Sequence, residues 1–214
     1  MQDIAIFGAG GFGREVGHLI LSLNAMEPQW NLIGFFDDAK EKGSSVSALG
    51  KVLGGVEELN NYPKELSVVI AIGSPKSIMG VYDKISNKRI NFPNIIAPDF
   101  KIVDKGSLKM GKGNIIQSRC VASCDVTIGN FNVMNGSVVL GHNVEIGDFN
   151  VIMPAARISG EVKIKQQNLV GVGAIILQRI HVGRHVAVGP GSVLYTKPKD
   201  GGVYIGNPAK LFKY

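Results

Sequence analysis

Cysteine is nearly absent: Cys120 and Cys124 are the only two in 214 residues. They form no CxxC pair and too few ligands surround them for a zinc site, so no metal centre is expected. Small, partly buried packing in a reduced, cytoplasmic setting is the role they suit. Long apolar runs are missing as well. No stretch of about 20 apolar residues occurs, which argues against a membrane span. The N-terminus carries no basic segment followed by an apolar run, so no signal peptide is expected. Aromatic residues make up only 7% of the chain, and no run of Lys and Arg is interleaved with them. A net charge of +6 suits anions such as phosphates, but this arrangement disfavours nucleic acid.

What the chain has instead is glycine, 28 residues of it, and a period. From Met110, every sixth residue is apolar: Met110, Ile116, Ala122, Ile128, Met134, Leu140, Ile146, Ile152, Ile158, Ile164, Val170, Ile176, Val182, Val188 and Leu194. At 45% apolar content, chance gives fifteen successive hits in about 6 × 10⁻⁶ of trials, so the repeat is real. Gly follows the apolar residue in seven of the fifteen hexads, at 111, 129, 141, 147, 171, 183 and 189. A six-residue period fits neither a heptad nor an amphipathic helix. It fits a β-solenoid of short strands and turns, with the apolar residue inward and the glycines permitting the bend. Three hexads make one triangular coil, and fifteen make five.

Ahead of the repeat lies a different pattern. Asp3–Phe7 reads as a buried strand, and Gly8, Gly10 and Gly13 then satisfy GxGxxG before a helix at about Phe12–Leu23, whose inner face carries Val16, Leu19, Ile20 and Leu23. That context suits a Rossmann-type turn, whose glycines allow close backbone approach and whose helix presents free N–H groups to an anion. Asn31–Phe36 is a second strand, ending in Asp37 and Asp38. The segment from Lys42 to Gly50 reads as a polar loop. Val56–Asn60 is a short helix and Leu66–Ile72 a third strand, ending in Gly73-Ser74-Pro75. A helix at about Lys76–Asn87 and a last strand at Phe92–Ile96 complete a unit of some 95 residues. The acids after the second strand either face a ribose or cap their own loop. The second half of a complete dinucleotide domain is missing, which argues against an NAD-dependent oxidoreductase.

The expected architecture is therefore α/β plus β-solenoid: a small Rossmann-like domain over 1–96, a parallel β-helix over 97–199 and a C-terminal tail over 200–214. Residues 97–109 form a first, irregular coil, with Ile102 and Leu108 offset from the later register.

GAGGFGRE at 8–15, GFFDD at 34–38, AIGSP at 71–75, LGHNVEIGDFNV at 140–151 and GNPAK at 206–210, in this order, resemble the hexapeptide-repeat sugar O- and N-acyltransferases. The type is that of sialic-acid O-acetyltransferases and UDP-bacillosamine-precursor N-acetyltransferases. The resemblance implies a left-handed β-helix, acetyl-CoA as acyl donor, and a homotrimer with sites between subunits. It implies a nucleotide sugar held by the N-terminal domain near Gly10, Gly11, Phe12, Gly13, Asp37, Asp38, Gly73 and Ser74. It also implies pantetheine near Gly160, Val172 and Gly173, and the adenine and phosphates of CoA near Pro208 and Lys210. His142 matches the general base. A neutral imidazole can take the proton of an attacking amine or hydroxyl. The residue after this histidine is usually acidic in such proteins; here it is Asn143, which can orient the ring but supplies no charge.

N-acetylation of a nucleotide-linked amino sugar is the expected reaction. O-acetylation of sialic acid or another sugar is the close alternative, and a non-catalytic trimeric scaffold or sensor is the alternative of a different class. His18, His181 and His185 lie outside the motif and are expected on packing or solvated surfaces.

Overall fold

The computed structural model describes residues 1–212; Lys213 and Tyr214, the end of the expected tail, lie outside the described residues. The chain divides into two compact units, Met1–Ile95 and Ile96–Tyr214.

The first unit is a five-stranded sheet with its strands all parallel. The strands are β1 (Gln2–Phe7), β2 (Trp30–Phe36), β3 (Val52–Gly54), β4 (Leu66–Ile70) and β5 (Ile90–Asn91), in the order β3-β2-β1-β4-β5. The order reverses at β1, which places a crevice outside the carboxyl ends of β1 and β4. Both strands are almost wholly buried, and such runs read as apolar without alternation. Helix α1 (Gly11–Met26) buries Gly13, Val16, Gly17, Leu19 and Ile20, the three- and four-residue spacing of one helical face. A Cβ at Gly13 would collide with the Gly8 carbonyl, so only glycine lets the helix sit this close to the turn. Helices α2 (Val56–Asn60) and α3 (Pro75–Lys84) follow β3 and β4. Ser74 caps α3, its Oγ accepting from the Ser77 N–H, with Pro75 at the first helical position.

Two expectations are corrected here. The stretch expected as a polar loop buries Val46 and Leu49, forms a 3-10 turn at Ser47–Leu49 and closes through a bridge between Ser45 and Lys51. The strand expected at Phe92–Ile96 is split. Ile90–Asn91 completes the first sheet, and Ile95–Ile96 opens a sheet of the second unit. Pro93 lies between them and has no N–H to continue a ladder.

The second unit is a left-handed parallel β-helix. Two-residue strands recur along it, and partners in neighbouring coils are 18 residues apart, as in Val121↔Val139, Val139↔Arg157, Arg157↔Ile175 and Ile175↔Val193. They assemble into three sheets of six, five and eight strands. The second residue of each strand, from Ile116 to Leu194, points into one continuous core. Between the strand ending at Ile102 and that ending at Met110 there are two extra residues, which is the irregularity of the first coil. The expected tail is not free of the solenoid: Val203–Gly206 pairs parallel with Ala187–Val188, and Ala209–Leu211 turns back antiparallel to it.

The seven hexad glycines do not make the bends. The left-handed backbone falls two residues later, at Arg119, Asp125, Phe131, Ser137, Asn143, Phe149, Ala155, Glu161, Gln167, Arg179 and His185, and at Gly113, Gly173 and Gly191. The hexad glycines are needed for stacking. A Cβ at Gly147 would lie 2.6 Å from the Lys165 carbonyl oxygen, and one at Gly171 would lie 2.6 Å from the Pro190 nitrogen.

One corner of the core holds a column of buried asparagines. Asn114, Asn132, Asn150 and Asn168 stand one per coil, each fully buried. Each Oδ1 of the first three accepts the backbone N–H and the Nδ2–H of the next asparagine, at 2.8–3.2 Å. The Oδ1 of Asn168 ends the column by accepting from the Val186 N–H. Beside it, the Phe131 and Phe149 rings stack at 5.3 Å, 4° from parallel.

Candidate active site

In the second unit, His142 and Asn143 lie where the chain turns from the strand Val139–Leu140 to the strand Glu145–Ile146. Both are exposed. Asn143 takes the left-handed corner, φ 57°, a conformation asparagine accepts more readily than most residues. From there its Oδ1 lies 3.0 Å from His142 Nδ1. With the amide oxygen accepting from Nδ1–H, the ring keeps its proton on that nitrogen and Nε2 carries the lone pair.

Gly160, one coil further on, is buried beneath this ring. A Cβ there would stand 2.5 Å from Nε2 and 2.7 Å from Cε1 of His142. The next residue, Glu161, occupies the same corner as Asn143 and donates its backbone N–H to the His142 carbonyl at 2.8 Å. Its carboxylate accepts from Arg179 Nε (3.1 Å), Arg179 Nη2 (3.2 Å) and Gln178 Nε2 (2.9 Å). The Arg179 guanidinium, then the Gln178 amide, hold this carboxyl below the usual carboxylate range. Asn143, Glu145, Glu161, Lys163, Arg179 and His181 line a shallow pocket here. The sequence reading missed Glu161 and Arg179. Their signal was the 18-residue spacing that stacks 143, 161 and 179.

Of the other expected positions in this unit, Val172 is exposed and Gly173 sits in a left-handed corner, φ 64°. They lie on a different edge of the prism from His142. Pro208 and Lys210 are exposed on the terminal hairpin. A single chain therefore brings together His142, Asn143 and Gly160, and leaves Val172, Gly173, Pro208 and Lys210 apart from them. Cys120 is buried, and burial pushes its thiol up to about 11; Cys124 is half-buried.

In the first unit, the glycine turn, Asp37 and Gly73-Ser74 gather at the carboxyl ends of β1, β2 and β4. Gly10 and Gly11 are exposed, Phe12 is half-buried, and nothing stands where a Cβ at Gly10, Gly11 or Gly73 would be. Asp37 binds the turn itself: its Oδ2 accepts from the Ala9 N–H at 2.7 Å and its Oδ1 from the Ala39 N–H at 2.9 Å. Asp38 turns away, accepting from the Val56 N–H at the start of α2 at 2.7 Å. Both acids thus serve the loops after their strand.

Residues 3–85 match one family along their length. The family is described as the PglD N-terminal domain, which this stretch resembles. The matched stretch contains every one of the crevice positions above. The whole chain is similar to the acetyltransferase domain of PglB from Neisseria gonorrhoeae, crystallised with acetyl coenzyme A: 26% identity over 99% of both chains, TM-score 0.86. It also superposes on WeeI from Acinetobacter baumannii, with 23% identity over 99% of this chain and 100% of that one and a TM-score of 0.88. A third likeness is to a histidine-to-asparagine mutant of perosamine N-acetyltransferase from Caulobacter crescentus, in complex with CoA and GDP-perosamine. There the identity is 20%, over 100% of this chain and 98% of that one, with a TM-score of 0.89. No curated protein matches the chain significantly. The likeness to acetyltransferases thus extends beyond residues 3–85 to the full chain. Among the described residues, no helix is long and apolar enough to cross a membrane.

Proposed function

We propose that this protein transfers the acetyl group of acetyl-CoA to the amino group of a nucleotide-linked sugar, with His142 as general base. The observation that carries the reading is an exposed imidazole whose one nitrogen is engaged by a neutral amide oxygen, in a chain similar end to end to an acetyltransferase domain crystallised with acetyl coenzyme A. Nε2 accepts a proton from the sugar amine as it attacks the thioester carbonyl. The C–N bond forms to give a tetrahedral oxyanion; as it collapses the C–S bond breaks, the proton held by His142 passes to the sulfur, and CoA leaves as the thiol. Asn143 holds the ring in the productive tautomer. The developing oxyanion needs a backbone donor from the neighbouring coils.

The PglD-type domain supplies the nucleotide site in this reading. The open faces of Gly10, Gly11 and Gly73, the N-terminus of α1, Phe12, Gly13 and Ser74 surround the crevice, while Asp37 and Asp38 shape its loops. Gly160, Val172, Gly173, Pro208 and Lys210 are assigned to CoA. Because these lie on different edges of one prism, the reading requires the assembly to bring a neighbour's edge to His142, as in a homotrimer.

The test is thiol release from acetyl-CoA with UDP-, GDP- and dTDP-linked amino sugars. One acceptor should be turned over by the wild type, and His142→Ala should lose about 10² or more in kcat. Equal rates for the two proteins would remove His142 from the mechanism.

A further inference from the structure

We infer that a cavity beside β2, β3 and α2 in the first unit takes the base of the nucleotide sugar, and that Glu57 selects guanine there. The inference rests on the nucleotide-sugar reading of the first unit and deepens it by naming the base.

The cavity measures about 500 Å³. Phe36, Leu53 and Tyr62 give it apolar and aromatic surface, and Lys42, Glu57, Glu58 and Asn61 supply its polar edge. An apolar wall with a few polar groups at one side suits a flat heterocycle. Phe36 is the last residue of β2, and Leu53 stands one residue before the end of β3. The cavity therefore opens at the same carboxyl end of the sheet as the glycine turn. The order is β3-β2-β1 and neighbouring strands stand about 4.8 Å apart, so β3 is about 10 Å from β1. A nucleotide whose phosphates meet the glycine turn passes its ribose over the end of β2 and brings its base to β3.

The polar edge decides between bases. Glu58 is committed: its Oε2 accepts from the Gly55 N–H at 2.9 Å and its Oε1 lies 3.5 Å from Lys42 Nζ. The Glu57 carboxylate has no partner among the described residues. An ionised carboxylate only accepts. Guanine offers it two parallel donors, N1–H and the exocyclic N2–H, which the two carboxylate oxygens match. Uracil and thymine offer one N–H flanked by two carbonyl oxygens, which a carboxylate repels. Adenine offers one N–H beside a bare ring nitrogen. The remaining O6 and N7 of guanine need donors, and the Asn61 amide and the other N–H groups of Lys42 carry them.

Calorimetric binding of free nucleoside diphosphates to the full chain tests this without acetyl-CoA or acceptor. GDP should bind about tenfold or more tighter than UDP, dTDP or ADP, the scale of one bidentate contact to a base. IDP, which is GDP without the exocyclic amine, should lose most of that margin. Glu57 is exposed, so Glu57→Gln should fold, and it should bring the GDP-to-UDP affinity ratio down towards one. Loss of a negative charge alone would tighten every diphosphate equally, so the ratio is the readout. A wild-type ratio near one, a ratio that survives Glu57→Gln, or no binding of any diphosphate overturns the inference. Thiol release is a separate result. A protein that prefers GDP through Glu57 and releases no thiol keeps the base assignment and loses the acetyltransfer reading. One that acetylates a UDP-linked sugar in preference to its GDP counterpart does the reverse.

Discussion

Gly160 shows how little room one residue can have. Its missing side chain is the space in which the His142 ring lies. A methyl group there must push the ring off Asn143 or off its approach to substrate. Gly160→Ala should therefore fold normally and lose activity, by about 10²-fold, the usual penalty for a displacement near 1 Å. Circular dichroism together with kcat checks this; a fully active Gly160→Ala protein would show that the ring need not lie where it does. The sequence displayed His142 and Asn143 through their motif. It placed Gly160 by resemblance, as a cofactor contact, but could not show that the glycine makes space for the imidazole. Asp37 and Asp38 were visible as acids after a strand, while the direction each takes is decided by the Ala9 and Val56 amides they meet.

At the scale of the repeating element, the period of six was plain and its purpose was partly misread. Glycine after the apolar residue suggested a bend, because glycine is the residue that bends most easily. The bend is instead made by ordinary residues such as Phe131 and Glu161, and the glycines let carbonyls of the next coil approach. The distinction depends on contacts 18 residues apart, which a six-residue count does not display. The asparagine column was legible in principle, as four asparagines at that same spacing. Its central members should dominate stability. Asn150→Ala strips the buried Asn168 N–H and Nδ2–H and the Lys165 carbonyl of their partner. At about 1–3 kcal/mol for each unsatisfied group, a loss of at least about 3 kcal/mol is expected in denaturant unfolding. Asn168→Ala, at the far end of the column, leaves only the Val186 N–H and the Gly183 carbonyl without that partner and should cost less. Equal losses at both positions would mean that the column does not act as a connected network.

For the whole molecule, the outward residues of the three sheets differ. One sheet shows Lys109, Thr127, Glu145, Lys163 and His181, a polar surface. A second shows Val121, Val139, Ile175 and Val193 half-exposed, interrupted by Arg157. On the third, Ile115, Val133 and Val151 are already buried. The second sheet is therefore the face a homotrimer would cover. Sedimentation equilibrium should give three times the chain mass, and Val139→Glu should reduce it towards one. A single-chain mass for the wild type would remove the shared site from the reading.

The coils carry one further consequence, a mechanical one. Their hydrogen bonds run along the solenoid axis, while the chain winds around it with partners 18 residues apart. A pull on the two ends of this unit therefore loads one coil at a time. Each coil that opens frees about 60 Å of extended chain, at roughly 3.4 Å per residue, in exchange for about 4.8 Å of axis. Stretched between a bead and a surface, the solenoid should unspool in equal lengths instead of bursting in one rupture.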